Sequence, residues 1–178
     1  MKTIPKIFIF VILSLVLCSC GGGEKRMGFF EDKDKINADN RIDEIISIIR
    51  EQNVNEFASI FSATAKEEND NLLSEIEDFF NIFDDTGLSY IENAGPTVYE
   101  ETDSGNKSKK IVTWYEVSGE NRNYIFYFVE WTLHTSDKKQ VGVYTLRIIE
   151  ETDFDKQFIS ESLMETPGVY YKPSRLKS

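Results

Sequence analysis

A few side chains in this sequence have the chemistry to do more than pack: Cys18, Cys20, His134, and the set Tyr115, Glu130 and Arg147. A thiol can attack, ligate or be acylated, and a carboxylate beside a guanidinium can orient a polar ligand. His134 stands beside Ser136 and Asp137 at the end of a strand-like run, and as the one histidine of the chain it reads as a surface loop residue rather than an acid or base. Glu130 and Arg147 lie on neighbouring strand-like segments. A two-residue turn at Asp137-Lys138 would set Arg147 opposite Phe128, one diagonal step from Glu130, and a semi-buried ion pair would follow. Tyr115 shares that face, and Tyr144 joins it only if the register slips. There is no glycine-rich phosphate loop and no paired-histidine helix. Asn69-Asp70-Asn71 lacks the later glycine and glutamate of a calcium loop. No catalytic residue, metal or cofactor is assigned.

The element that must position these groups is Asn123 to Leu133, NYIFYFVEWTL, rich in aromatic and β-branched residues and free of Gly and Pro. It reads as a central strand. Strands are expected on either side of it, at Lys110 to Val117 and Val141 to Glu150, with further ones near Leu88 to Glu92 and Thr97 to Glu101 and a short edge segment at Gly168-Val169-Tyr170-Tyr171. Turns at Asp103 to Asn106 and Ser118 to Asn121 make this an antiparallel meander of four to five strands. The second turn is short, so Ile111, Thr113, Tyr115 and Val117 share a face with Tyr124, Phe126, Phe128 and Glu130. Ile125, Val129 and Leu133 are expected under the helices. The Tyr124, Phe126, Phe128 and Glu130 face is expected to be half-polar surface, so the candidate pocket or interface is Tyr115, Phe126, Phe128, Glu130, Tyr144 and Arg147.

Before the sheet, apolar residues recur at helical spacing. Ile42, Ile45, Ile46 and Ile49 fall on one face of a helix from Asp39 to Gln52. Asn53 with Glu56 three residues on has the form of an N-cap for a short helix carrying Val54, Phe57, Ile60 and Phe61 inward. Thr64-Ala65-Lys66-Glu67 has the form of a capping box that starts a third helix, with Leu72, Leu73, Ile76, Phe79, Phe80 and Phe83 as its apolar stripe and Gly87 as its stop. Asp84 and Asp85 oppose the dipole at its end and are expected to fray into solvent. Three helices packed on a curved antiparallel meander define an α+β fold.

The N-terminus carries an address. Lys2 and Lys6 precede the apolar run Ile7 to Leu17, which is too short to span a bilayer and has the layout of a signal peptide. Leu17-Cys18-Ser19-Cys20-Gly21 resembles the bacterial lipobox with Cys20 as the modified residue, because Cys18 would put Leu17 where a small residue belongs. The resemblance implies residues 1–19 as a lipoprotein signal peptide, a diacylglyceryl thioether on Cys20, and attachment to the extracytoplasmic face of the cell membrane. Two acyl chains anchor stably where one is marginal. With Cys18 removed and Cys20 acylated, the remaining chain has no thiol. Residues 20–37, with Gly21-Gly22-Gly23 and alternating charges, read as the lipidated cysteine and a flexible tether whose mean reach is roughly 23 Å. Residues 38–171 form one domain and 172–178 a polar tail.

The formal charge is −11, and losing Lys2 and Lys6 with the leader makes it −13. Nucleic acid and anionic lipid surfaces are poor partners for such a surface. Phe61-Ser62, Gly95-Pro96, Trp114-Tyr115-Glu116-Val117, Tyr124, the run from Gly142 to Arg147, and Gly168-Val169-Tyr170 resemble the Gram-positive lipoprotein family named domain of unknown function 5104. The resemblance implies a nuclear transport factor 2-like or cystatin-like fold, in which a bent sheet wraps a helix, and no activity. Two apolar sheet faces with one set of helices to cover them point to a binding module for an envelope protein or small ligand, compatible with homodimerisation. The alternative is a small-molecule enzyme with Glu130, Arg147 and Tyr115 in a pocket between helices and sheet.

Overall fold

The computed structural model describes residues 24–28, 32–91, 93, 95–153 and 166–173. The leader, both cysteines, Phe29, Phe30, and Phe154, Phe158, Ile159, Leu163 and Met164 lie outside them, as does the end of the polar tail. In chain order the elements are β1 Glu24–Gly28, α1 Asp32–Glu51, α2 Val54–Ser59, α3 Ala63–Glu68, α4 Leu72–Ile82, β2 Ser89–Tyr90, β3 Thr97–Asp103, β4 Asn106–Ser118, β5 Asn123–His134, β6 Gly142–Glu150 and β7 Gly168–Tyr171. The strands form one sheet of order β1-β3-β4-β5-β6-β7, with β2 pairing β4 beyond the end of β3. All pairings are antiparallel except β6 with β7.

Helix α1 extends the expected helix by two turns at its N-terminus. Those turns lack an apolar stripe, but Asp34 is buried against the Lys109 ammonium of β4 at 3.1 Å, and Ala38 is fully buried. Together with β1, which pairs Glu24 to Gly28 against Thr102 to Val98, this replaces most of the expected tether with structure. The cap at Asn53 forms as expected, its side chain accepting from the Glu56 amide at 3.2 Å. The expected capping box does not form. Ser62 is the N-cap of α3, accepting from the Ala65 amide at 3.0 Å, and the helix stops at Glu68. The Asn69 carboxamide oxygen takes the Asn71 amide at 3.0 Å, a local bond that competes with helix continuation. A separate α4 then follows, so the described residues carry four α-helices where three were expected.

The helices lie on the sheet face that carries Tyr115, Val117, Tyr124, Phe126 and Phe128, which is the inner face. Phe57 stacks on Phe79, Phe79 on Phe83, and Phe83 meets Tyr124 of β5 with centroids 5.2 Å apart. Each such side chain taken fully out of water contributes about 1.5–3 kcal/mol. The expectation that this face is surface is therefore wrong, and so is the placing of Leu133 in the core, since Leu133 is exposed. Alternation identified which residues share a face but not which face the helices cover, because both are apolar. The polar groups that made the inner face look wet are answered from the helical side.

Two bulges distort the sheet at one end. The β4–β5 register skips Thr132, and the β5–β6 register skips Tyr144. A bulged residue is unpaired in the ladder and its side chain is re-aimed.

Candidate functional site

The structure takes the expected site residues apart. Tyr115, Phe126 and Phe128 are completely buried. Tyr115 stacks on Phe128, and its hydroxyl donates to the Asp39 carboxylate at 2.7 Å. Burial first, and then the Asp39 hydrogen bond and charge, push the Tyr115 hydroxyl far above its usual range, so it stays protonated. It is a core residue with a satisfied hydroxyl.

Glu130 does not meet Arg147. The β5–β6 connection is longer than a two-residue turn and contains a 3₁₀ turn at Lys138–Gln140, so Leu146 lies opposite Phe128 and Arg147 opposite Tyr127 on the outer face. The partner of Glu130 is Arg41 of α1, whose Nε and Nη2 donate to the two carboxylate oxygens at 3.1 and 2.5 Å. Arg41 also donates to Glu44 one turn on. Burial opposes the Arg41 charge, but the Glu130 hydrogen bonds and charge, with those of Glu44, outweigh it and raise its pKa. A bidentate arginine–carboxylate pair of this kind holds both planes in one orientation.

Around this pair is an open hollow of about 330 Å³ lined by Asn37, Asn40, Arg41, Glu44, Glu130, Thr132 and Val141. Helix α1 supplies the first four at helical spacing, and the β5 bulge delivers Thr132 next to Glu130. The Thr132 hydroxyl oxygen is buried and finds no hydrogen-bond partner among the described residues. Such an atom is a loss unless something else pairs with it. The hollow thus offers two carboxamides, a fixed guanidinium–carboxylate pair, a second carboxylate and one apolar wall. Of these, only Glu130 was among the expected site residues. Arg41 had a signal, since it lies four before Ile45 on the buried side of α1, where a charge needs a partner.

The remaining candidates are on the outer face. The Arg147 guanidinium lies over the Tyr170 ring, 5.1 Å from its centroid, and burial lowers its pKa. Tyr144 donates to Glu68, and both line a smaller hollow of about 210 Å³ with Lys110, Val129, Trp131 and Gln140. Glu130, Tyr115 and Arg147, the set considered for chemistry, are split between two faces and do not converge. His134 accepts from the Asp137 amide through Nδ1 at 3.1 Å. Asp85, expected in solvent, is buried and takes the amides of Gly87 and Glu120 and the Tyr124 hydroxyl. Among the described residues no group of three or more His, Cys, Asp or Glu side chains could hold a metal ion, and no helix is long and apolar enough to cross a membrane.

Residues 44–151, more than half of the chain, match the family model described as Domain of unknown function (DUF5104). No curated protein matches the chain.

Proposed function

The chain belongs to the DUF5104 family, and from that premise and the site geometry we propose that it is a membrane-anchored extracytoplasmic lipoprotein whose domain is a binding module for a small polar ligand. The observation that carries the binding reading is the hollow beside the Arg41–Glu130 pair, lined also by Asn37, Asn40 and a second carboxylate, that of Glu44. A ligand site is a concavity with a few polar groups held in place by the fold, and here the pair is held by α1 on one side and a bulged strand on the other. Many hydrogen-bonding groups and one apolar wall suit a compact, multiply hydrogen-bonding molecule. The separation of Tyr115, Glu130 and Arg147 removes the motive for an enzyme reading. The long helix α1 on the inner face of a mostly antiparallel sheet supports a nuclear transport factor 2-like or cystatin-like arrangement.

Anchoring is read from Leu17-Cys18-Ser19-Cys20-Gly21. Cys20→Ser is expected to move the protein from the membrane fraction to the soluble fraction, and a variant that stays membrane-bound would reject the anchor. Ligand binding is tested by ligand-observed NMR against a library of small polar molecules. Binders are expected whose signals are lost with Arg41→Met and weakened with Asn40→Ala. A library with no binders, or binders indifferent to both substitutions, would reject the hollow as the site.

A further inference from the structure

The covalent path from Cys20 to the domain is short. Glu24 is already paired with Thr102, so only Gly21, Gly22 and Gly23 stand between the anchoring residue and the sheet. Four fully extended chain steps reach at most about 14 Å. Whatever surrounds Glu24 is therefore held near the membrane surface if Cys20 carries lipid.

The pairing identifies those surroundings. Glu24 enters beside the β3–β4 hairpin, whose turn is Ser104-Gly105, both with positive φ. The β5–β6 connection is at the same end, because the Lys107 amide donates to the Thr135 hydroxyl at 2.8 Å and the Thr135 amide to the Lys107 carbonyl at 2.9 Å. The start of α1 is there too, through Asp34 and Lys109. This end exposes apolar side chains: Ile36 is 55 % exposed, Val141 43 %, Leu133 41 % and Tyr99 40 %. Its charges are mixed. Lys109 is held by Asp34 and Glu100 and Lys139 by Glu67, while Lys33, Lys107 and Lys138 are exposed, as is Asp103 beside the hairpin turn. At the opposite end the exposed Asp84, Glu116, Glu120 and Glu151 are part of the acid excess that gives the chain its charge of −11.

We infer that the end formed by the β3–β4 hairpin, the β5–β6 connection and the start of α1 is a membrane-contact surface that rests on anionic phospholipid. This rests on the anchoring reading and goes beyond it: the anchor brings the domain close, and its point of attachment together with the distribution of charge selects which end faces the bilayer. Exposed lysines are drawn to anionic headgroups, apolar and tyrosine side chains suit the interface, and the acidic opposite end is repelled. The net negative charge that argued against a lipid surface is an average over two unlike ends.

Lysine footprinting tests the surface without mutation. The lipoprotein is placed in vesicles of phosphatidylcholine and phosphatidylglycerol and treated with a membrane-impermeant acylating reagent, and each lysine is read by mass spectrometry. Lys107 and Lys138 are expected to react several-fold more slowly than in detergent. Lys172, which follows β7 at the far end, is expected to be unchanged. Unchanged reactivity at Lys107 and Lys138, or equal protection of Lys172, overturns the inference. Protection that appears without vesicles as protein concentration rises assigns this end to a second copy and also overturns it. The mass of the Cys20 peptide reports the anchor separately. If Cys20 is unmodified, its thiol is coupled to a maleimide phospholipid and the same footprint tests the surface alone.

Discussion

Single residues decide how the loops close on this sheet. A Cβ on Gly119 would overlap the Asp85 carboxylate and fall 3.0 Å from the Arg122 carbonyl, so the β4–β5 turn can approach that carboxylate only with glycine there. Gly119→Ala is expected to destabilise the protein by about 1–3 kcal/mol through overpacking and displacement of a buried acceptor, measured by chemical denaturation. The tyrosines set an alkaline limit. In Tyr115, Tyr124 and Tyr171 burial first, and carboxylates nearby second, raise the hydroxyl pKa above its unfolded value. A raised folded pKa stabilises the protein fully below the unfolded value of about 10 and progressively less as pH rises through the folded value. Denaturation midpoints are thus expected to fall as pH rises above about 10, and to fall less in Tyr124→Phe. An equal fall in the variant would place the loss elsewhere.

Among elements, α1 matters most, because it closes the core and carries one wall of the hollow. Arg41→Met leaves Glu130 buried without its cation. The cost lies between that of a surface pair and a buried one, about 1–3 kcal/mol, and Arg41→Lys is expected to recover only part of it because a point charge cannot engage both carboxylate oxygens. Equal denaturation midpoints for Arg41→Met and the native chain would show the pair to be energetically idle. How far such elements could be read from sequence depended on loop length. The face that Tyr115 and Val117 of β4 share with Tyr124 and Phe126 of β5 was legible, since a tight turn transmits alternation, and the pairs prove to be Tyr115 with Phe126 and Val117 with Tyr124. The β5–β6 register was not, since a seven-residue connection and two bulges intervene. The first turns of α1 were hidden because Asp34 finds its partner on β4 and not at helical spacing. The break at Asn69 to Asn71 was present in composition, yet the apolar stripe continues across it in phase.

For the whole molecule, the helical and sheet halves were each recognisable in sequence, but the joint between them was not. That joint is a backbone bridge in which the Ser62 amide donates to the Val143 carbonyl at 2.8 Å and the Val143 amide to the Ile60 carbonyl at 3.0 Å. The contact fits because Gly142, at φ +127, has no Cβ; one would fall 2.9 Å from the Ser62 amide nitrogen. The two segments are far apart along the chain, so forming the bridge closes a long loop, which is among the slow events of folding. The α2–α3 corner is therefore expected to dock late, after β6 has paired with β5. Gly142→Ala is expected to raise the unfolding rate while leaving the refolding rate nearly unchanged, as read from the two arms of a denaturant-dependence plot. A matching fall in the refolding rate would instead put the bridge in the nucleus. Late closure would also leave Phe57 and Phe61 of that corner, buried in the folded protein, open to water until the bridge forms, which is the interval in which a chain of this design would need a chaperone.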